Sequence, residues 1–132
     1  MIKCIAHICF TVGDLDASAA FYKKLGFTHA YDYRRDNGEL FGVMLHIGGR
    51  NFLELFKGQL NPAAEKQRYR HFCLECDDLR ATVETLRAGG IEVTDIQTGS
   101  DRALQAWVND PEGNRIELQE YRPESNQTPW VK

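Results

Sequence analysis

The sequence predicts an α+β fold made of two tandem βαβββ modules. The first observation behind this is the order of elements: an apolar strand, an amphipathic helix and three further strands follow one another, and the same order then begins again. The second is a constant offset of 64 positions between residues of the same type, namely His7 and His71, Asp14 and Asp78, and Gly26 and Gly90. Because helix starts, helix ends and histidines recur together, the offset indicates an internal repeat.

The first module is predicted to span residues 1–57. Ile2–Val12 is apolar and β-branched enough for a strand, and Asp14 is a good N-cap for a helix over Leu15–Leu25. Gly26 ends that helix. Three strands follow, with turn residues between them: Phe27–Arg34, Leu40–Ile47 and Asn51–Phe56.

The second module is predicted to span residues 70–122, after a polar linker at 58–69. A helix starts at Leu79, capped by Asp77 or Asp78, and stops at Gly89 and Gly90. Its strands are predicted at His71–Cys76, Ile91–Ile96, Ala103–Asn109 and Arg115–Tyr121. The polar tail, 123–132, is expected to be loose, with Trp130 suited to docking.

Composition narrows the class of protein. A chain of 132 residues that is 42% hydrophobic fits a single domain with a real core. The net charge of −3, with no basic stripe, argues against a nucleic-acid partner. No apolar run has the roughly 18 residues of a membrane span, and no signal-peptide pattern is seen. Four cysteines in an ordinary core suggest reduced thiols in a cytoplasmic protein.

Each module contributes one histidine in its first strand and one glutamate in its last strand. These residues are His7, Glu54, His71 and Glu117. Singly, such a histidine is more often a core or surface residue, and such a glutamate usually pairs with an arginine, here Arg115 or Arg70. Burying a lone carboxylate costs several kcal/mol, whereas two are tolerated if both bind a cation. Two imidazoles and two carboxylates suit Zn²⁺, Ni²⁺, Co²⁺, Mn²⁺ or Fe²⁺ and fit Ca²⁺ poorly.

The remaining histidines and cysteines are weaker candidates. His29 and His46 have no repeat partner and are interpreted as pocket-wall or surface residues. Cys9 and Cys73 share a face with the two repeated histidines, which would let them line the pocket, but we interpret them as small apolar filler.

Over residues 2–121 the chain resembles the vicinal oxygen chelate superfamily. The resemblance rests on His7 with Val12-Gly-Asp-Leu15, Phe21-Tyr-Lys-Lys-Leu-Gly26, His71 with Asp77-Asp-Leu79, and Asp110-Pro-Glu-Gly-Asn-Arg-Ile-Glu117. It implies a curved mixed sheet around a metal site, with the helices outside. Within the superfamily, the set His7, Glu54, His71 and Glu117 is similar to that of glyoxalase I, or lactoylglutathione lyase.

This resemblance implies a metal-dependent lyase or isomerase that converts a hemithioacetal of an α-oxoaldehyde to a 2-hydroxyacyl thioester through an enediolate. Glu117 would be the base and Glu54 its counterpart, with roles that near-symmetry leaves exchangeable. The implied cofactor is one divalent ion per site (nickel, zinc, cobalt or manganese, with iron less favoured). The implied assembly is a homodimer with sites at or near the interface and ligands from one chain or both.

Other members of the superfamily define the alternatives. Acyl-CoA epimerases carry an amide at the position of Glu54, thiol transferases and iron-dependent dioxygenases have no ligand there, and drug-sequestering dimers lack the ligands altogether. Glu54 therefore favours glyoxalase I. However, Thr11 stands where such glyoxalases usually have an arginine that grips glutathione. Without that bidentate partner for a substrate carboxylate, other thiols or α-hydroxycarbonyl substrates stay open.

Overall fold

The computed structural model describes residues 7–59, 71–126 and 128–129. The chain divides into two compact units, Met1–Lys66 and Gln67–Lys132. In the first unit the elements are β1 (His7–Val12), α1 (Leu15–Lys24), β2 (Thr28–Arg34), β3 (Leu40–Gly48) and β4 (Asn51–Lys57). In the second they are β5 (Phe72–Glu75), α2 (Leu79–Ala88), β6 (Gln97–Thr98), β7 (Leu104–Asn109) and β8 (Arg115–Glu120).

Each unit contains one four-stranded mixed sheet, and the two sheets have the same topology. The strand orders are β1-β4-β3-β2 and β5-β8-β7-β6. The first and last strands of each unit pair in parallel, and the other pairs are antiparallel. In the parallel pairs Cys9 lies opposite Glu54, and Cys73 lies opposite Glu117. The predicted α+β fold of two βαβββ modules is therefore confirmed.

Strand β4 shows how a sheet of this kind separates its core from its candidate site. Leu53 and Leu55 are fully buried, and α1 packs against β3 and β4. Burying each of these leucines contributes about 1.5–3 kcal/mol. Side chains alternate across a strand, so Glu54 points to the opposite face of the sheet. The apolar residues hold the strand in register, and the register fixes where the carboxylate emerges.

Strand β8 is buried on both faces. Ile116 and Leu118 lie in the core, while Glu117 and Gln119 are buried on the other face. The Gln119 amide donates a hydrogen bond of 2.8 Å to an Asp101 carboxylate oxygen. The predicted burial of Glu117 within a strand is thus observed.

The two helices start and stop through matching residues. Asp14 accepts a hydrogen bond of 2.9 Å from the Ala17 amide, and Asp78 accepts one of 2.9 Å from the Ala81 amide. Gly26 and Gly90, which follow the last helical turns, have φ angles of +92° and +81°, which favour glycine. Of the two predicted caps for α2, Asp78 is the residue used.

Replacing Asp78 by alanine is expected to lower the free energy of unfolding by about 1 kcal/mol, because the Ala81 amide loses its acceptor. Asp77→Ala is the matched control, since Asp77 is an exposed aspartate one residue earlier that does not cap the helix. Chemical denaturation of both variants measures the difference. Equal stability of the two variants would contradict the cap assignment.

The predicted strand Ile91–Ile96 is wrong. The segment is irregular, and the strand in this region is the two-residue β6. The Thr94 side chain takes the place of a backbone acceptor that a paired strand would supply. The Trp107 amide donates to Thr94 Oγ1 at 2.9 Å, and the Thr94 amide donates to the Trp107 carbonyl at 3.1 Å. The Arg87 guanidinium donates to the carbonyls of Val93 and Thr94 at 2.8 and 3.1 Å. These side chains satisfy backbone groups that strand pairing would otherwise use.

The start of the tail is also more ordered than expected. Ser125 is buried, and its hydroxyl accepts a hydrogen bond of 2.8 Å from the Arg122 amide. Trp130, most of the linker and the predicted strand start at Ile2 lie outside the described residues. Within the described ranges, neither helix is long and apolar enough to span a membrane.

Candidate metal centre

The first unit brings His7 and Glu54 together. Glu54 lies opposite Cys9 in the parallel pair, and His7 is two residues earlier on the same face of β1. His7 Nε2 and Glu54 Oε2 are 3.6 Å apart. The Glu54 side chain is 13% exposed, whereas that of His7 is 46% exposed. The pair therefore has a shielded carboxylate and an imidazole that solvent or a ligand can reach.

Two further donors hold the Glu54 carboxylate. The Tyr33 hydroxyl donates to Oε1 at 2.5 Å, and the Cys9 thiol also donates to the carboxylate. Tyr33 first and Cys9 second hold the pKa of Glu54 below its ordinary value, against the opposing effect of burial. Burial and the neighbouring Glu54 raise the pKa of Cys9 to about 11, so Cys9 is a thiol donor near neutral pH. The interpretation of Cys9 as apolar filler is wrong.

Aromatic rings pack around Tyr33, the hydroxyl donor to this carboxylate. The Tyr33 ring lies 5.0 Å from Phe56 and 5.1 Å from Tyr31, between ring centroids. Phe41 stacks on Phe56 at 5.7 Å. Gly42 lies on β3, between the strands that carry Tyr33 and Phe56. It has no side chain, and a Cβ there would overlap the Phe56 ring. The absent side chain is what lets the Phe56 ring lie against the backbone.

The second unit brings His71 and Glu117 together. His71 Nε2 and Glu117 Oε2 are 3.1 Å apart, and the Glu117 side chain is 11% exposed. Trp107 lies opposite Glu117 on β7, and its ring meets the His71 ring edge to face at 4.9 Å. Arg115, one alternative partner for Glu117, places its guanidinium 4.0 Å from the centre of the Trp107 ring. Arg70, the other alternative, lies outside the described residues.

His29 and His46 do not join either pair. His29 Nε2 lies 2.8 Å from an Asp32 oxygen, and His46 Nε2 lies 3.1 Å from the Gly49 carbonyl oxygen. The His46 ring also packs against Phe52 at 4.9 Å. Both have local partners, which agrees with their interpretation as wall or surface residues.

The donor atoms of each pair have a spacing that suits a divalent metal. Nitrogen and oxygen ligands lie about 2.0–2.2 Å from an ion such as zinc, so two neighbouring ligands are about 2.8–3.6 Å apart at the angles of octahedral and tetrahedral sites. The observed separations of 3.6 and 3.1 Å fall within this range and also fit ordinary ion pairs. Within either unit, the described residues contain no group of three or more His, Cys, Asp or Glu side chains suited to a metal. Each unit thus supplies half of the predicted set, and their union in one centre stays a prediction.

The second unit contains a groove of about 500 Å³. Thr94, Trp107, Asn109 and Arg115 are among its lining residues. It borders the pair through Trp107, whose ring contacts His71. No sequence pattern marked this groove, because it depends on the irregular segment where a regular strand was predicted.

The sequence model of the Glyoxalase/Bleomycin resistance protein/Dioxygenase superfamily matches residues 4–118. The chain belongs to this superfamily. It is the vicinal oxygen chelate superfamily that the motifs indicate, so the resemblance is confirmed. The superfamily includes enzymes, and its members typically use a divalent metal.

Relatives within the superfamily differ in their described roles. The chain is 31% identical over 125 residues to lactoylglutathione lyase of Haemophilus influenzae, a match that covers 86% of this chain and 90% of that protein. A glyoxalase family protein from Enterococcus faecalis has a similar structure, with a TM-score of 0.75, 24% identity and coverage of 89% and 98%. A bleomycin resistance determinant encoded on the transposon Tn5 has a TM-score of 0.69, 25% identity and coverage of 91% and 99%.

Proposed function

We propose that the chain is a metal-dependent lyase of the glyoxalase I type. Its reaction is the conversion of a hemithioacetal of an α-oxoaldehyde to a 2-hydroxyacyl thioester. The observation that carries the proposal is the pairing of Glu54 with His7, which matches the pairing of Glu117 with His71 in the other unit. A second carboxylate of this kind is what distinguishes glyoxalase I from its relatives.

Four side chains would hold the metal: His7, Glu54, His71 and Glu117. The bound ion would supply Lewis acidity toward two adjacent substrate oxygens. Glu117 accepts the proton from the carbon that bears sulfur and returns it to the neighbouring carbon, acting as general base and then general acid. A second proton passes from the hydroxyl oxygen on the first carbon to the ketone oxygen on the second, so the first carbon becomes the thioester carbonyl and the second carries the hydroxyl. No outside oxidant or reductant is required.

The surroundings of Glu117 suit this role. It is 8% exposed, so bulk water competes little for the proton. His71 contacts one carboxylate oxygen, and its ring packs perpendicular to the Trp107 ring. The groove beside Trp107 offers room for the part of the substrate that does not react. Because Thr11 offers no guanidinium, the thiol is proposed to differ from glutathione or to bind it in another way.

The proposed assembly is a cytoplasmic homodimer with a small-molecule substrate. Superfamily members are commonly dimers that bind small molecules. Three cysteines of the described residues, Cys9, Cys73 and Cys76, are free thiols, in keeping with a reducing compartment. In such a dimer the His7 and Glu54 pair would complete a centre with His71 and Glu117 of the same chain or of a second copy.

The test begins with metal quantification on the purified protein. We expect about one divalent ion per four-ligand set, with nickel, zinc, cobalt or manganese favoured. Methylglyoxal is then assayed with glutathione, mercaptoethanol, cysteine and coenzyme A. Removing the metal with a chelator should abolish turnover and lower the melting temperature, and added Ni²⁺ or Co²⁺ should restore both. A metal-free protein that isomerises none of these hemithioacetals would overturn the proposal.

The second candidate function is drug sequestration by a dimer without turnover. The aromatic surface of Tyr31, Tyr33, Phe41 and Phe56 favours it, since flat rings bind flat ligands well. The similarity to the Tn5 determinant also supports it. Stoichiometric binding of bleomycin by protein that is indifferent to chelator would select this function over the lyase.

A further inference from the structure

We propose that Tyr33 is a positioning residue for the metal centre, acting by fixing the orientation of Glu54. Its hydroxyl donates to Glu54 Oε1 at 2.5 Å, while Oε2 is the oxygen that faces His7. The two carboxylate oxygens therefore have separate partners. This inference rests on the proposed function, because it takes Glu54 to be a metal ligand.

The sheet register brings Tyr33 to Glu54. Tyr33 lies opposite Gly42 in the β2–β3 pair, and Gly42 lies opposite Phe56 in the β3–β4 pair. Glu54 is two residues from Phe56 and therefore on the same face of β4. With no side chain at Gly42, Tyr33 and Phe56 meet across it, with ring centroids 5.0 Å apart. From that position the Tyr33 hydroxyl reaches the carboxylate.

The Tyr33 hydroxyl is oriented before any ligand arrives. The ring is packed against Phe56, Tyr31 and, at 6.0 Å, Phe41. The Tyr31 hydroxyl lies 3.0 Å from the Tyr33 hydroxyl and can donate to it. A chain of two hydroxyls thus ends on Glu54, and hydrogen bonds in such a chain strengthen one another.

The second unit has a different residue at the matching position. Gln97 pairs with Gln105, and Gln105 pairs with Gln119, just as Tyr33 pairs with Gly42 and Gly42 with Phe56. Gln97 thus occupies the place of Tyr33, and the described residues give Glu117 no tyrosine donor. Glu54 accepts a hydrogen bond from this hydroxyl, whereas Glu117 has His71 at 3.1 Å as its neighbour. The asymmetry distinguishes two glutamates that the repeat makes equivalent.

Hydrogen bonds to ligating side chains tune metal affinity, and their loss typically costs about 10- to 100-fold in affinity or activity. We expect Tyr33→Phe, which keeps the ring, to weaken Co²⁺ binding by about 10-fold and to change the visible absorption spectrum of the bound Co²⁺. Tyr31→Phe should give a smaller loss in the same direction. Gln97→Leu is the matched control from the second unit and should bind Co²⁺ as the unmodified protein does.

The measurement is a Co²⁺ titration of the full-length, metal-free protein and each variant, followed by absorption spectra and thermal unfolding. Glu54→Ala, which removes both carboxylate oxygens, serves as the positive control for loss of a ligand. Weaker binding and an altered spectrum in Tyr33→Phe, with Gln97→Leu unchanged, support the inference. Tyr31→Phe, at a residue that is 48% exposed, tests the same hydroxyl chain if Tyr33→Phe folds poorly.

Two results would count against it in different ways. If the unmodified protein binds Co²⁺ but Tyr33→Phe has the same affinity and spectrum, the positioning role is overturned and the proposed function stands. If the unmodified protein binds no Co²⁺, both are overturned. The split between kcat and KM adds a further readout, since a purely structural role would not change kcat alone in a variant of normal stability.

Discussion

Replacing Glu117 by glutamine is expected to lower kcat for the hemithioacetal by about 10²- to 10⁴-fold, the usual contribution of a general acid–base residue. Glutamine has the same shape, so β8 keeps its register and Ile116 and Leu118 stay in the core. The amide still offers an oxygen near His71, so part of the metal binding should persist. What it loses is the capacity to take up and return a proton.

This variant is best measured with excess Ni²⁺, so that weaker binding is not mistaken for lost chemistry. Glu112→Gln is a suitable control because Glu112 lies in the turn before β8 and is not one of the four proposed metal ligands. Its activity should equal that of the unmodified protein. Isomerisation by Glu117→Gln at the unmodified rate, with metal bound, would rule out Glu117 as the base.

Replacing His71 by alanine is expected to weaken Ni²⁺ or Co²⁺ binding by about 100-fold or more, because loss of a ligand costs at least as much as loss of its outer partners. It also leaves the buried Glu117 carboxylate without its histidine. The metal-free variant should therefore lose about 1–3 kcal/mol of stability if no water or side chain replaces the imidazole. Calorimetric titration and chemical denaturation measure the two effects.

His46→Ala is the matched control for this change. His46 lies in β3 and His71 immediately before β5, but the partners of His46 are the Gly49 carbonyl and the Phe52 ring rather than a carboxylate. Its replacement should leave metal affinity unchanged. Equal losses from the two variants would mean that histidine removal disturbs the sheets generally, and the ligand assignment of His71 would fail.

The sequence was sufficient to select His7, Glu54, His71 and Glu117 because strand periodicity and the internal repeat act together, whereas their pairing within each unit is seen only in the structure. A histidine and a cysteine two residues apart share one face of the sheet. The last strand of each module pairs with the first and places its glutamate opposite that cysteine, and therefore near the histidine. Because the modules repeat with an offset of 64 residues, the same arrangement is expected in the second module. These rules depend on backbone geometry, which local patterns specify well.

Features that depend on contacts between particular side chains could not be predicted from the sequence. Nothing in the sequence links Tyr33 to Glu54, because their contact requires the empty space above Gly42 and the packing of Phe56. The Thr94 hydroxyl likewise accepts the Trp107 amide hydrogen bond that a paired strand would otherwise accept, and the spacing of apolar residues does not predict such a contact. Such contacts follow from tertiary packing that overrides local propensity.

The parallel pairing of β1 with β4 has a consequence for the order of assembly. Strands β2, β3 and β4 are joined by short turns and can form locally, whereas β1 must wait until the chain has returned with β4. His7 therefore meets Glu54 only when the least local pairing of its sheet closes, and the same holds for His71 and Glu117. A nascent or partly folded chain would present its carboxylates without their imidazoles. Metal binding by the His–Glu pairs would therefore occur only after the parallel strand pairs have formed.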